Sequence, residues 1–306
     1  MLLYNRLTAF VKRYFMNLCD IRTVRELLSA FGTGTKKGFG QNFLINASVP
    51  ERIAEECCDA PECVIVEIGP GIGCLTAELA KRFKRVIAFE IDKTLIPVLR
   101  YTLGSFSNVE IVNEDILKVD LPAVLAEKAA GERVSVCANL PYYITTPILM
   151  RLVECGAAFE SITVMVQAEV AARLTASPGS ADYGAITASL CYYGVPRKLF
   201  TVTAGNFMPA PKVDSAVVRI DLYRDKPVKP KSPDLFFKVI RAAFGQRRKT
   251  LTNALGTAFP TLTKEQISGV LAALGFDPRI RGERLSTAEF SALADALLPL
   301  LPECSE

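Results

Sequence analysis

The 306-residue chain contains no histidine. It therefore has no imidazole to act as a general base, a metal ligand or a pH switch near neutrality. This absence excludes serine-type catalytic triads and most zinc catalysis. The chain also has no run of roughly 18 to 20 uncharged apolar residues, the length needed to span a bilayer. We therefore predict no membrane-spanning segment.

The chain has nine cysteines but no pair with the CxxC spacing that marks many metal sites. They are Cys19, Cys57, Cys58, Cys63, Cys74, Cys137, Cys155, Cys191 and Cys304. A metal cluster built from the four between positions 57 and 74 is the alternative interpretation. Because several of them stand in apolar runs, we predict reduced structural thiols, no metal and a cytoplasmic protein.

Basic residues are concentrated near the carboxyl terminus. The net charge is only +4, from 36 Lys and Arg against 32 Asp and Glu. Residues 226–284 hold 12 basic and 4 acidic residues, which leaves 24 basic and 28 acidic residues elsewhere. A solvated charged face is the simpler explanation for this excess, and a nucleic-acid-binding surface is the functional one.

Residues 1–15 contain no acidic residue and carry Arg6, Lys12 and Arg13. This composition fits an amphipathic targeting segment. We favour an upstream extension with Met16 as the true first residue, because MNLCDIRTVRELL makes a plausible opening helix. Residues 1–20 are therefore treated as an N-terminal extension.

Strand and helix patterns alternate along most of the chain, which predicts an α/β fold with an open, mostly parallel sheet. Two later apolar runs, at 198–203 and 215–222, predict a hairpin at one edge of the sheet. The predicted strands are 63–69, 85–92, 109–112, 134–138 and 161–166, and the predicted helices are 23–31, 47–58, 74–83, 93–103 and 145–155.

The segment DKPVKPKSPD at 225–234 has the proline and lysine content of a linker. Beyond it the pattern is helical only, at 234–244, 247–258, 263–274 and 287–299. We therefore predict a catalytic domain over 21–224 and a small, basic, all-helical domain over 225–306.

A glycine-rich loop directly follows the first predicted strand. In VEIGPGIGCLT, Gly69, Gly71 and Gly73 stand between a strand and a helix, where the backbone can approach a ligand closely. A tight turn without a ligand is the alternative. Dinucleotide sites favour G-x-G-x-x-G, whereas this loop has G-x-G-x-G preceded by Glu67. The pattern resembles the S-adenosylmethionine (SAM) loop of methyltransferases.

Two acidic residues follow the next two strands. Glu90 ends the second strand, where a carboxylate can accept hydrogen bonds from both hydroxyls of a ribose. Asp115 follows the third strand, where it can accept a hydrogen bond from an adenine amine. A local turn or helix cap is the alternative role for Asp115.

The segment Asn139-Leu140-Pro141-Tyr142 follows the strand at 134–138, at the sheet edge where α/β proteins bind ligands. Its chemistry suits methylation of an adenine amine, whose lone pair is delocalised. The Asn139 side chain and the Leu140 carbonyl would accept the amine hydrogens, and Tyr142 would stack on the base. Phe207 would supply a second ring, with core packing as its alternative. Catalysis would consist mainly of alignment and would need no histidine.

Six segments together make the chain resemble the adenine N6,N6-dimethyltransferases of small-subunit (16S) ribosomal RNA. They are KKGFGQNFL at 36–44, VEIGPGIGCLT at 66–76, NLPYYITTPIL at 139–149, NFMPAPKVDSAV at 206–217, AAFGQRRKTLTNAL at 242–255 and RGERLSTAEF at 281–290. The resemblance implies dimethylation of two adjacent adenines near the 3′ end of that RNA during subunit assembly, with SAM as donor and S-adenosylhomocysteine as product.

The resemblance also implies roles for individual residues. It assigns cofactor contacts to Asn42, Leu44, Gly69, Glu90, Asp115 and Asn139. It places QNFL over the methionine part of SAM, although the composition of this segment alone predicts only a loop entering a helix. We further predict rRNA phosphate contacts from Arg247, Arg248 and Lys249. Nothing in the sequence suggests an oligomer interface, so we expect a monomer.

Three other functions compete with this interpretation. A non-catalytic RNA-binding factor on the same scaffold is disfavoured by the intact glycine loop and NLPY segment. A nicotinamide oxidoreductase is disfavoured by the glycine spacing. A DNA adenine methyltransferase shares the chemistry but would not explain the C-terminal segments.

Overall fold

A computed structural model describes residues 16–34, 40–246 and 248–302. The chain forms two compact units. The first extends to Ala171 and includes Arg197–Leu222, and the second consists of Ala172–Pro196 and everything from Tyr223 onward. The sequence did not predict that 172–196 belongs with the C-terminal helices. No helix in the described ranges is both long and apolar enough to cross a membrane.

A seven-stranded sheet forms the centre of the first unit, in the order β4-β3-β2-β5-β6-β9-β7. Neighbours from β4 to β6 pair in parallel, and β9 pairs antiparallel with β6. The strands are β1 Phe43–Leu44, β2 Val64–Ile68, β3 Arg85–Phe89, β4 Val109–Val112, β5 Val134–Asn139, β6 Phe159–Gln167, β7 Gly194–Val202, β8 Phe207–Met208 and β9 Ser215–Leu222. This arrangement confirms the predicted mostly parallel sheet with an antiparallel edge.

The apolar runs of the sequence form the middle of this sheet. All five residues of β2 are buried, as are the first five of β5. Parallel strands covered on both faces require such continuous hydrophobic stretches. The helices of this unit are α1 Ile21–Ala30, α2 Ser48–Glu56, α3 Cys74–Arg82, α4 Ile96–Thr102, α5 Leu121–Lys128 and α6 Thr145–Glu154. Helix α5 was not predicted from the sequence.

The strands β1 and β8 pair outside the main sheet, antiparallel to each other. Leu44 lies opposite Phe207, and Phe43 lies opposite Met208. The predicted edge strands therefore become β7 and β9, with β8 between them in the chain. Two-residue strands carry no periodicity of their own, so only the long-range pairing reveals them.

The second unit is a helical bundle around its own apolar core. Tyr183, Phe236 and Phe290 are almost completely buried there, and the Tyr183 hydroxyl donates to the Leu285 carbonyl at 2.9 Å. No strand follows Leu222 among the residues described. The helices are α7 Ala168–Leu174, which begins in the first unit, α8 Ala185–Tyr193, α9 Pro233–Gly245, α10 Leu251–Ala258, α11 Lys264–Ala273 and α12 Thr287–Leu297.

Polar caps fix where these helices begin. The Ser232 hydroxyl accepts from the backbone of Leu235, so the predicted linker already contains the start of α9. Thr250 caps α10 in the same way. The predicted helix at 247–258 therefore starts later than expected, and Arg248 and Lys249 lie in the turn before it.

Candidate active site

A pocket in the first unit lies at the carboxyl ends of β2, β3 and β5. Open α/β sheets bind ligands at this edge, because the loops that leave parallel strands gather there. Every residue that was predicted to contact the cofactor lines it. They are Asn42, Leu44, Gly69, Gly71, Glu90, Asp115 and Asn139, joined by Leu140 and Tyr142 from the predicted chemistry site.

The glycine loop closes against Glu90. Gly71 has φ +64°, and its N–H donates to the Glu90 carboxylate at 3.2 Å. A Cβ at this position would lie 3.3 Å from the Phe43 ring. The positive φ and the nearby ring both favour glycine at this position. This supports the interpretation that the backbone of the loop can approach a ligand closely.

Glu90 is held in place by backbone donors. One carboxylate oxygen accepts from Gly71, and the other accepts from the Asp92 N–H at 2.8 Å. The side chain is only 4% exposed, and this burial raises the pKa of its carboxyl above the ordinary value. The group is therefore fixed and partly desolvated at the pocket wall, as a residue that binds ligand hydroxyls requires.

Glu67 is a pocket residue that the site prediction omitted. Its side chain is 1% exposed, and burial raises the pKa of its carboxyl to about 8. Its Oε2 atom has no hydrogen-bond partner among the described residues. A buried carboxyl oxygen without a partner is costly unless a ligand supplies one, so the Glu67 Oε2 atom indicates a cationic or hydrogen-bond-donating ligand group.

The charge of the lining distinguishes between cofactors. The pocket is lined by four acidic residues and by no Lys or Arg among the residues described. The acidic residues are Glu67, Glu90, Glu114 and Asp115. Glu67 keeps its proton at neutral pH in the ligand-free protein, but the other carboxylates would repel a pyrophosphate. They suit SAM, which carries a sulfonium and an ammonium group. The residues present therefore fit SAM and disfavour a dinucleotide.

Asp115 lies in the pocket and also stabilises its own turn. One carboxylate oxygen accepts from the Leu117 N–H at 3.1 Å, and the other lies 3.9 Å from the Lys118 ammonium. The structure thus shows the local role that was the alternative interpretation. Because Asp115 also lines the pocket, this local role is compatible with the predicted contact to the cofactor.

The NLPY segment leaves β5 at the pocket. Asn139 is the last residue of β5 and lies opposite Met165 of β6. Its side-chain amide makes no hydrogen bond within the described part of the chain, so its oxygen and its NH2 group remain available to a ligand. The next residue, Leu140, donates its N–H to the Met165 carbonyl at 3.3 Å.

A hydrogen bond to a residue that the sequence did not indicate holds the Tyr142 side chain in place. Its hydroxyl lies 2.7 Å from the Ser215 hydroxyl, and Ser215 is buried at the start of β9. Burial raises the pKa of the Tyr142 hydroxyl. This hydrogen bond fixes the ring at the pocket wall, and nothing in the spacing of the two residues could have predicted it.

The position of Phe207 does not support its predicted role as a second ring over the base. It is 3% exposed, packs in a core cluster with Leu44 and Val217, and does not line the pocket. Its pairing within β8 opposite Leu44 accounts for this, because the pairing holds the ring in the core. Core packing, the alternative interpretation, is what the structure shows.

The residues predicted to bind RNA lie in the second unit. Arg247 is outside the described residues. Arg248 and Lys249 are exposed in the turn before α10, where the Lys249 N–H donates to the Gln246 carbonyl at 2.9 Å. Their exposure and charge are compatible with phosphate contacts.

The eight cysteines within the described ranges are free thiols. Cys58 and Cys63 are both buried, with their sulfurs 3.1 Å apart, and burial raises the pKa of the Cys63 thiol to about 12. No group of three or more His, Cys, Asp or Glu residues suited to a metal occurs in these ranges. The absence of a metal remains a prediction.

A family model described as "Ribosomal RNA adenine dimethylase" matches residues 32–274, which is most of the chain. The chain belongs to the ribosomal RNA adenine dimethylase family. It is therefore an enzyme that methylates adenines of ribosomal RNA. Membership agrees with the geometry of the pocket and removes the nicotinamide oxidoreductase from consideration.

Two relatives show how far the dimethylase likeness extends. Both are called "Ribosomal RNA small subunit methyltransferase A". The protein from Geobacillus kaustophilus is 48% identical over 288 residues, which cover 92% of this chain and 98% of the relative. The protein from Lachnoclostridium phytofermentans is 47% identical, with 92% and 97% covered.

Solved structures place the dimethylase in the same fold. The 23S rRNA methyltransferase ErmE matches with a TM-score of 0.66 and 26% identity, covering 84% of this chain and 99% of that one. A dimethyladenosine transferase from Plasmodium falciparum matches with a TM-score of 0.71 and 23% identity, covering 84% and 98%. At that identity the second likeness shows the fold alone.

Proposed function

We propose that the enzyme dimethylates the N6 amines of two adjacent adenines in the loop near the 3′ end of 16S rRNA, during assembly of the small subunit. The single observation that carries the chemistry is the Asn139 amide, which has no hydrogen-bond partner among the described residues and lies beside Leu140 and Tyr142 in a pocket with acidic walls. The names of the relatives support the small subunit as the substrate.

The pocket residues divide between cofactor and base. Glu90 and Asp115 would hold the ribose and the adenine of SAM, and Glu67 would face a cationic part of it. Asn42 and Leu44 would cover the methionine end. When bound, SAM supplies a methyl group that its sulfonium activates for transfer.

Other pocket residues would bind and orient the target base. The Asn139 side-chain oxygen and the Leu140 carbonyl would accept the N6 hydrogens and hold the lone pair toward the methyl donor. The fixed Tyr142 ring would stack on the base after it leaves the RNA stack. The methylated amine would then release its proton to water, since it becomes strongly acidic on gaining charge. Alignment therefore replaces a general base.

We propose that the basic helical part of the chain, from about residue 225, holds the RNA. Its local excess of basic residues supports phosphate contacts by Arg247, Arg248 and Lys249. The body of the chain, with its slight acidic excess, would carry out catalysis. We further propose that the enzyme acts as a monomer and that it acts in the cytoplasm. The free cysteines of the described ranges support the second of these proposals.

Mapping the methylated nucleotides tests this substrate assignment. Small subunits that lack the modification would be incubated with enzyme and SAM, and nuclease fragments of the rRNA would be weighed by mass spectrometry. We expect one fragment near the 3′ end to gain four methyl groups on two neighbouring adenines. Methylation confined to a single adenine, or occurring in large-subunit rRNA instead, would contradict the proposal.

A further inference from the structure

Two consecutive tyrosines follow Pro141 at the pocket, and their environments differ. Tyr142 and Tyr143 begin a short 3-10 turn that ends at Ile144. The Tyr142 hydroxyl is held by the buried Ser215, so that ring is fixed in the wall. Tyr143 also lines the pocket, yet it is 62% exposed. Among large apolar side chains in the described ranges, none is more exposed.

The Tyr143 ring is exposed, but one part of it packs against the protein backbone. A Cβ built on Gly40 would lie 3.4 Å from the ring carbon Cδ1 and 3.5 Å from Cε1, so the ring lies close against the Gly40 backbone. Its hydroxyl makes no hydrogen bond to any residue that the structure describes. The ring is therefore backed by the Gly40 backbone and mostly exposed, at the rim of the pocket.

The fold gains little from an aromatic side chain in this position. Burial stabilises a protein roughly in proportion to the apolar area removed from water, and most of this ring stays in water. Exposed aromatic rings beside a site for unstacked bases are the surfaces on which RNA-binding proteins stack nucleobases.

We propose that Tyr143 is the stacking platform for the nucleobase that flanks the target adenine. This inference rests on the proposed function, because it requires an RNA chain whose target base has entered the pocket. A flipped base brings its neighbours to the rim, and the next base then lacks its own stacking partner. Tyr142 cannot serve both bases, since Ser215 holds its ring in the wall. The adjacent Tyr143 presents the second ring.

Stacking is tolerant of base identity, since every base has a π-face. The platform therefore fits a substrate in which two neighbouring adenines are modified in turn. Whichever adenine is in the pocket, the nucleotide on the Tyr143 side of it would remain outside to stack on the ring. The site thus takes a single-stranded nucleotide directly next to the one that is methylated.

Steady-state kinetics with unmodified small subunits tests the platform. Base-on-aromatic stacking contributes about 1–3 kcal/mol per base, so Tyr143→Leu should raise the KM for subunits roughly tenfold. Tyr143→Phe keeps the ring and should stay within about twofold of wild type. The affinity for SAM and the Tm should change little in both variants. As a matched control, Phe31→Leu alters another exposed aromatic of the first unit, outside the pocket.

An unchanged KM in Tyr143→Leu would overturn the inference. So would an equal defect in Tyr143→Phe or in Phe31→Leu, or a loss of SAM affinity as large as the loss for subunits. An unchanged KM would show no role, and an equal defect in Tyr143→Phe would show that the hydroxyl matters and not the ring. An equal defect in Phe31→Leu would show a nonspecific effect, and the loss of SAM affinity would show a cofactor role.

A second measurement does not depend on methyl transfer. An RNA hairpin carrying the small-subunit loop would contain the fluorescent base 2-aminopurine next to the target adenine. Stacking on an aromatic ring quenches this base, so wild type and Tyr143→Phe should quench it on binding and Tyr143→Leu should not. Equal quenching by all three proteins, or by none, would overturn the platform. Quenching without any methyl transfer would instead overturn the proposed function and leave the platform standing.

Discussion

Replacing the buried Glu67 by Gln should change how the stability of the ligand-free protein depends on pH. The substitution keeps the size of the side chain and removes its ability to ionise. Burial raises the pKa of this carboxyl to about 8 in the folded chain, against an ordinary value of 4.5. Between these two values the folded protein keeps a proton on Glu67 that the unfolded chain releases.

The sign and size of the effect follow from this difference in bound protons. An acid with a raised pKa in the folded state destabilises it progressively as pH rises from about 4.5 to about 8. Within that window each pH unit lowers the free energy of unfolding by about 1.4 kcal/mol. From pH 5.5 to pH 7.5 the loss attributable to Glu67 is therefore roughly 2 to 3 kcal/mol. Gln does not titrate, so the variant should escape this loss.

Urea unfolding of both proteins at pH 5.5, 6.5 and 7.5, followed by circular dichroism, measures the effect. The stability of Glu67→Gln minus that of wild type should increase by about 2 to 3 kcal/mol across the series. Other groups, including Glu90, titrate in both proteins and largely cancel. Glu114→Gln removes an exposed carboxylate from the same pocket and serves as the control. A difference that is constant with pH, or that the control reproduces, would refute the reasoning.

Substitutions at four further residues test the assigned roles. Glu90→Ala should weaken SAM binding at least tenfold in calorimetry while RNA affinity stays unchanged; an equal loss of both would contradict its cofactor role. Asn139→Ala should abolish turnover in single-turnover assays although RNA still binds, and near-normal turnover would remove the mechanism. Ser215→Ala should lower kcat several-fold with KM and Tm nearly unchanged, because it frees the Tyr142 ring; Ser215→Thr should restore it, and a loss of Tm alone would indicate a merely structural hydroxyl. Arg248→Ala should weaken RNA binding and flatten its salt dependence by about one unit of slope, whereas a change in SAM affinity alone would place the RNA surface elsewhere.

The sequence predicted the elements whose hydrophobic pattern is continuous. A run of apolar residues defines strand β2, and three closely spaced glycines define the loop that follows it. Both patterns are local in the sequence. The same holds for Glu90, because the end of β3 at Phe89 fixes the position of the residue that follows it. Helix α8 was missed because its segment, AITASLCYY, is apolar on most sides and shows no helical period.

Features that depend on long-range contacts could not be predicted. The raised pKa of Glu67 results from the side chains that bury it, and the clamp on Tyr142 needs Ser215 from a distant strand. Long-range contacts also explain why the role predicted for Phe207 is not supported. Its motif indicated a base-stacking ring, but pairing with Leu44 of β1 places it in the core.

The most direct test of the enzyme's activity is methyl transfer from radiolabelled SAM to small ribosomal subunits that lack the modification, followed by nucleoside analysis. We expect the label in N6,N6-dimethyladenosine with the wild-type chain and none with Asn139→Ala. SAM binding without any transfer would contradict this account and would indicate a non-catalytic assembly factor on the same scaffold.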